Sequence, residues 1–102
     1  MTKKYKKYKD VLIDQLRDSP KEADIYLETA WEEYSEDGDM AALMLAIRNI
    51  AEAKGGIGVL EKETKLTRQA LYKALSSKGN PRFETLDAIL HSLGYRTTIE
   101  PI

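Results

Sequence analysis

A chain of 102 residues, 42% hydrophobic and 32% charged, can bury one core and not comfortably two. It has no Cys and a single His, which excludes a disulfide framework and a Cys-ligated metal and removes most metal and nucleophile chemistry. The net charge of −1 argues against a nucleic-acid partner until its distribution is read. Residues 1–9 hold five Lys and no acid, and residues 10–53 hold three basic side chains against twelve acidic ones. Residues 54–82 reverse this, with seven basic against two acidic, and residues 83–102 hold one basic against three acidic. A basic block between acidic ones suggests an anion-binding surface on one part of the fold. Chance clustering on solvated faces gives the same pattern.

No apolar run approaches the length of a membrane span. The basic stretch from Lys3 to Lys9 is not followed by the apolar region of a signal peptide. A cytoplasmic protein with no membrane partner is expected.

The first helix signal is Tyr8 to Arg17, with Tyr8, Leu12 and Leu16 four apart. Asp18-Ser19-Pro20 ends it. Ser19 and Glu22 form a capping box with Pro20 at the first helical position, so a second helix runs from about Pro20 to Asp37. Its apolar stripe is Ala23, Tyr26, Leu27, Ala30, Trp31 and Tyr34. Gly38 is the stop and Asp39 caps a third helix, Met40 to about Lys54, with Met40, Leu43, Met44, Ile47, Ile50 and Ala51 on one side.

Gly55 and Gly56 break that helix. They belong to no phosphate loop, since no strand precedes them and no Lys-Ser/Thr follows at the required offset. A short segment, Ile57 to Thr64, turns Ile57 and Leu60 inward. Lys65-Leu66 reads as a tight turn, and Thr67 caps a helix to about Ser76 with Leu71, Ala74 and Leu75 inward. Ser77 to Pro81 is a loop by composition. A last helix from about Phe83 to Leu93 buries Phe83, Leu86, Ile89, Leu90 and Leu93, and Gly94 ends it. The β-branched run Thr97, Thr98, Ile99 suits a short strand from Tyr95 to Glu100. The expected fold class is all-α, a bundle of about five to six helices with a short C-terminal strand.

Two short helices joined by a turn too short to let them lie antiparallel have the spacing of a helix-turn-helix. In that motif the second helix enters the major groove with its N-terminal residues at base edges. Thr67, Arg68 and Gln69 then face bases, with Tyr72 and Lys73 one turn on. Arg pairs bidentately with guanine and Gln with adenine. Ser76, Ser77, Lys78, Asn80 and Arg82 follow as small, polar or basic residues suited to phosphate. Spacing alone fits an ordinary helical hairpin with a polar outer face equally well.

The stretch GVLEKETKLTRQALYKALSSKGNPRFETLDAILHSLGY resembles bacterial addiction-module antidote proteins, the HigA-type antitoxins of the lambda-repressor-like helix-turn-helix class. Its most specific part is LTRQALYKALSSKGNPRFETL, and upstream it extends through YLETAWEEYSEDGDMAALMLAIRNIAEAKGG. The resemblance implies a lambda-repressor-like helix-turn-helix bundle and a homodimer that binds a double-stranded DNA operator and represses its own operon. It also implies neutralisation of a toxin, a small RNA-cleaving protein of RelE/ParE-like fold. It supports Thr67, Arg68, Gln69 and Lys73 at base-facing positions and residues 76–82 on the phosphate side. Two positions depart from the motif: Glu61 stands where it favours Ala, and Lys65 where it favours Gly at a turn position that wants a left-handed backbone.

One domain, 1–102, is therefore expected. It comprises a basic arm and short helix at 1–18, two core helices within 19–54, a helix-turn-helix at 57–76, a last helix at 83–94 and a dimerising strand at 95–100. A lone strand leaves backbone groups that a second copy can pair, which places Leu90, Tyr95, Thr97 and Ile99 at a dimer interface. The acidic half offers Asp24, Glu28 and Glu32, with Ile25 and Tyr26 as apolar anchors, to a basic toxin. No enzyme, cofactor or metal is expected: His91 has no fixed acid partner, and Glu28, Glu32, Glu33 and Glu36 read as a solvated acidic face. Two other readings fit: a phage-type regulator with no toxin, and a toxin-binding module with little DNA binding.

Overall fold

The structure is a computed structural model that describes residues 7–102. The lysine arm at Lys3, Lys4 and Lys6 lies outside the described residues. Six helices follow one another: α1 (Tyr8–Asp18), α2 (Pro20–Asp37), α3 (Met40–Ala53), α4 (Ile57–Thr64), α5 (Arg68–Leu75) and α6 (Phe83–Ser92).

The boundaries follow from local chemistry. Ser19 Oγ accepts from the Glu22 backbone N–H at 3.2 Å and Pro20 opens α2, where its missing N–H costs nothing. Gly38 closes α2 in the left-handed region at φ 69°, a conformation a Cβ would oppose. Asp39 then caps α3 by accepting from the Ala42 N–H at 3.1 Å.

The central element is α3, which packs against α1, α2, α4 and α5. It buries Leu43, Met44, Ala46, Ile47, Asn49, Ile50, Ala51 and Ala53, so it is covered on more than one face. Around it gather Ile13 and Leu16 of α1, Ala23 and Leu27 of α2, Leu60 of α4, and Leu71, Ala74 and Leu75 of α5. Leu86, Ile89 and Leu90 of α6 and the following Leu93 complete the same core. The core polar residue is Asn49, whose Nδ2 donates to the Tyr26 hydroxyl at 3.0 Å and ties α2 to α3. Truncating a fully buried side chain such as Ile47 or Leu60 to Ala costs about 2–5 kcal/mol in such a setting.

Two expectations are corrected. Of the three residues whose spacing marked α1, Leu16 is buried beside Ile13 while Tyr8 is 83% exposed in the first turn. Phe83, expected inside, is 66% exposed at the first position of α6. The segment from Tyr95 to Glu100 forms no strand: a ladder needs a second strand, and none exists among the described residues. Side chains hold it instead. The Tyr95 hydroxyl donates to Asp24 Oδ1 at 2.7 Å, and Thr97 Oγ1 donates to Asp87 Oδ1 at 3.1 Å. The Lys54 ammonium sits 4.8 Å from the centre of the Tyr95 ring and donates to the Leu93 carbonyl at 3.0 Å.

Candidate nucleic-acid interface

The unit α4–turn–α5 consists of two eight-residue helices, each too short to persist alone. Packing and the turn make them stable. Lys65 carries the chain out of α4 at φ 61°, the left-handed conformation expected there, and its N–H donates to the Glu61 carbonyl at 3.2 Å. Thr64 Oγ1 donates to the Leu60 carbonyl at 2.6 Å and accepts from the Leu66 N–H at 3.1 Å, so one hydroxyl satisfies both sides of the turn. Leu66 packs against the core. Thr67 Oγ1 accepts from the Ala70 N–H at 3.0 Å and starts α5.

The inward face of α5 is Leu71, Ala74 and Leu75. Its other face exposes all the residues expected to meet bases: Thr67, Arg68, Gln69, Tyr72 and Lys73. There is no Asp or Glu on α5 itself. Ser76, Ser77, Lys78, Asn80 and Arg82 are exposed in the loop to α6. That loop is held close: a Cβ on Gly79 would lie 2.1 Å from the Ala74 carbonyl oxygen, so the chain can pass there only as glycine. The base-facing and phosphate-side candidates are thus all exposed, and Tyr72, Ser76 and Ser77 line one groove.

Two features of this surface escape a reading by spacing. Arg48, part-buried on α3, donates from its guanidinium to the Leu75 carbonyl, capping the C-terminal end of α5. Its signal in the sequence was a basic residue in the middle of a mostly apolar helix. The second feature is an ion pair across the turn: Arg68 Nη2 lies 3.0 Å from Glu61 Oε1. The hydrogen bond and charge of Glu61 raise the Arg68 guanidinium above its ordinary value, so it stays charged.

The other candidates are more scattered. Leu90 is 3% exposed and belongs to the protomer's own core, so it offers almost no surface to a second copy. Tyr95 and Thr97 are half-buried by contacts within the chain, and Ile99 is 98% exposed. Asp24 is engaged by Tyr95, and burial first, then the bond to Asp24, pushes the Tyr95 phenol well above its usual value. Ile25 is exposed, Tyr26 is half-buried against Asn49, and Glu28 and Glu32 are exposed. These two acids line a groove between α2 and the C-terminal segment, together with Leu27, Trp31, Tyr95 and Thr97. His91 is exposed. Among the described residues, no group of three or more His, Asp or Glu is placed to hold a metal. No described helix is long and apolar enough to cross a membrane.

Comparison with known proteins adds a family. A family model described as "Probable addiction module antidote protein" matches residues 8–101. An uncharacterized protein of Haemophilus influenzae is 26% identical over 92 residues, covering 90% of each chain. No solved structure matches the chain.

Proposed function

The chain belongs to the family of probable addiction module antidote proteins, and we propose that it acts there as a DNA-binding antitoxin of a type II toxin–antitoxin pair. An antidote implies a cognate toxin. In this reading the toxin is an RNA-cleaving protein of RelE/ParE-like fold. The antitoxin is a cytoplasmic homodimer that binds a double-stranded operator and represses its own operon. It has no catalytic role and needs no cofactor. The observation that carries the DNA-binding part is the exposed face of α5. Arg68, Gln69, Tyr72 and Lys73 stand free of any acid on their own helix, and the loop bearing Lys78 and Arg82 continues the surface. Such a helix supplies base contacts from its first turns and phosphate contacts from its flanks. The lambda-repressor-like class rests on the resemblance of the helix-turn-helix stretch, with its left-handed turn residue at Lys65.

The test is a titration of the purified protein with duplex DNA from upstream of its own reading frame, beside a random duplex of equal length. Preference for the upstream duplex supports the reading, and equal binding refutes it. A second reading, a toxin-binding module with little DNA binding, is favoured by the ion pair that occupies Arg68. It predicts suppression of the neighbouring toxin's growth defect with no preference for upstream DNA.

A further inference from the structure

Glu61 enters the reading surface from the helix opposite. It is the last-turn side of α4, not α5, that places a carboxylate 3.0 Å from the first residue of the reader helix. Both side chains remain about half exposed, Arg68 at 52% and Glu61 at 41%, so the pair is open to competition from a ligand. Glu61 takes one guanidinium nitrogen and Tyr72 lies within hydrogen-bonding range of the group, yet a guanidinium has five N–H donors, so donors remain for a ligand.

We infer that Glu61 is a specificity-determining residue of the DNA-reading surface, withholding Arg68 from phosphates and yielding it to a matching base edge. The inference rests on the DNA-binding reading above. A free guanidinium pairs with any phosphate and carries no sequence information in doing so. Moving Arg68 to a phosphate strips Glu61 of its partner and leaves an uncompensated carboxylate beside a polyanion. Every non-specific register bears that cost. Guanine O6 and N7 present two acceptors in the plane of the guanidinium, and this bidentate geometry recovers what leaving Glu61 forfeits. The carboxylate therefore penalises wrong sites more than the right one, which is how a repulsive group raises specificity without adding affinity.

The experiment compares the full-length parent with Glu61→Gln, Glu63→Gln, Arg68→Ala and the Glu61→Gln/Arg68→Ala double variant. Each is titrated on the upstream duplex and on a random duplex at one fixed salt concentration. Glu63 is the control: it lies on the same helix, is exposed, and loses the same charge without being the acid paired with Arg68. Glu61→Gln is expected to raise random-duplex affinity beyond the rise seen in Glu63→Gln and to lower the upstream-to-random ratio about fivefold. With Arg68→Ala in place, the excess over Glu63→Gln disappears. A parent that discriminates but an unchanged ratio in Glu61→Gln overturns the inference alone. So does an equal effect in Glu63→Gln, or an excess that survives Arg68→Ala. A parent with no preference for upstream DNA overturns the DNA-binding reading itself, and the inference with it.

Discussion

Lys65 carries a side chain where the backbone favours none. Its φ of 61° closes α4, and a Cβ in this region costs about 1 kcal/mol relative to glycine. Lys65→Gly is expected to stabilise the protein by about that amount, a rise of roughly 4–8 °C in melting temperature for a domain of this size. A melting temperature that is unchanged or lower contradicts the strain argument. Residues like this were legible in the sequence because their conformations are set within a few positions. The tight turn at Lys65-Leu66, the caps at Ser19, Asp39 and Thr67, and the stop at Gly38 all depend on immediate neighbours, while the left-handed backbone at Lys65 was implied by the resemblance. Phe83 was misread for the opposite reason. Its apolar character says it can be buried, but burial depends on what lies across from it, and it is 66% exposed.

At the scale of elements, periodicity located the helices, while the partners of α1 and of the C-terminal segment had to come from the fold. Asp24 looked like part of a free acidic face, and Tyr95 like a strand residue. The chain brings them together from 71 positions apart, and no local pattern records that. The contact has a pH signature. Burial and the hydrogen bond to Asp24 raise the Tyr95 phenol above its ordinary value of 10.0. Below about pH 10 the phenol is protonated in both folded and unfolded chains, so its contribution to stability is complete. Above that, the unfolded chain releases the proton while the folded chain keeps it, and stability falls as pH rises toward the folded value. Urea unfolding of the parent between about pH 9 and pH 11 should therefore show a declining midpoint, and Tyr95→Phe a shallower decline. Identical slopes would mean that Tyr95 does not couple the C-terminal segment to α2.

Across the whole molecule, charge is divided: residues 10–53 are acidic and residues 54–82 basic. The division follows the fold, with α1, α2 and α3 in the acidic part and the α4–α5 unit in the basic part. If the toxin cleaves RNA, as proposed, it presents positive charge to its substrate, and an acidic helix face suits its approach. Because Asp24 holds Tyr95, the steering surface is better tested at Glu28 and Glu32, which are exposed on α2. Replacing both with Gln should slow toxin association about two- to tenfold at low salt and flatten its salt dependence, with the melting temperature unchanged. Association as fast as the parent's at low salt would place the toxin elsewhere on the protein.

In the proposed function α5 reads DNA from its first turn while the loop beyond it grips the backbone. Titrating Arg68→Ala and Lys78→Ala beside the parent, on upstream and random duplexes, tests it most directly. Arg68→Ala should lose about 1–3 kcal/mol on the upstream duplex with little change on the random one. Lys78→Ala should weaken binding to both duplexes alike and reduce the salt slope by about one. Upstream binding undiminished by Arg68→Ala would contradict the assignment of α5 as the reader helix.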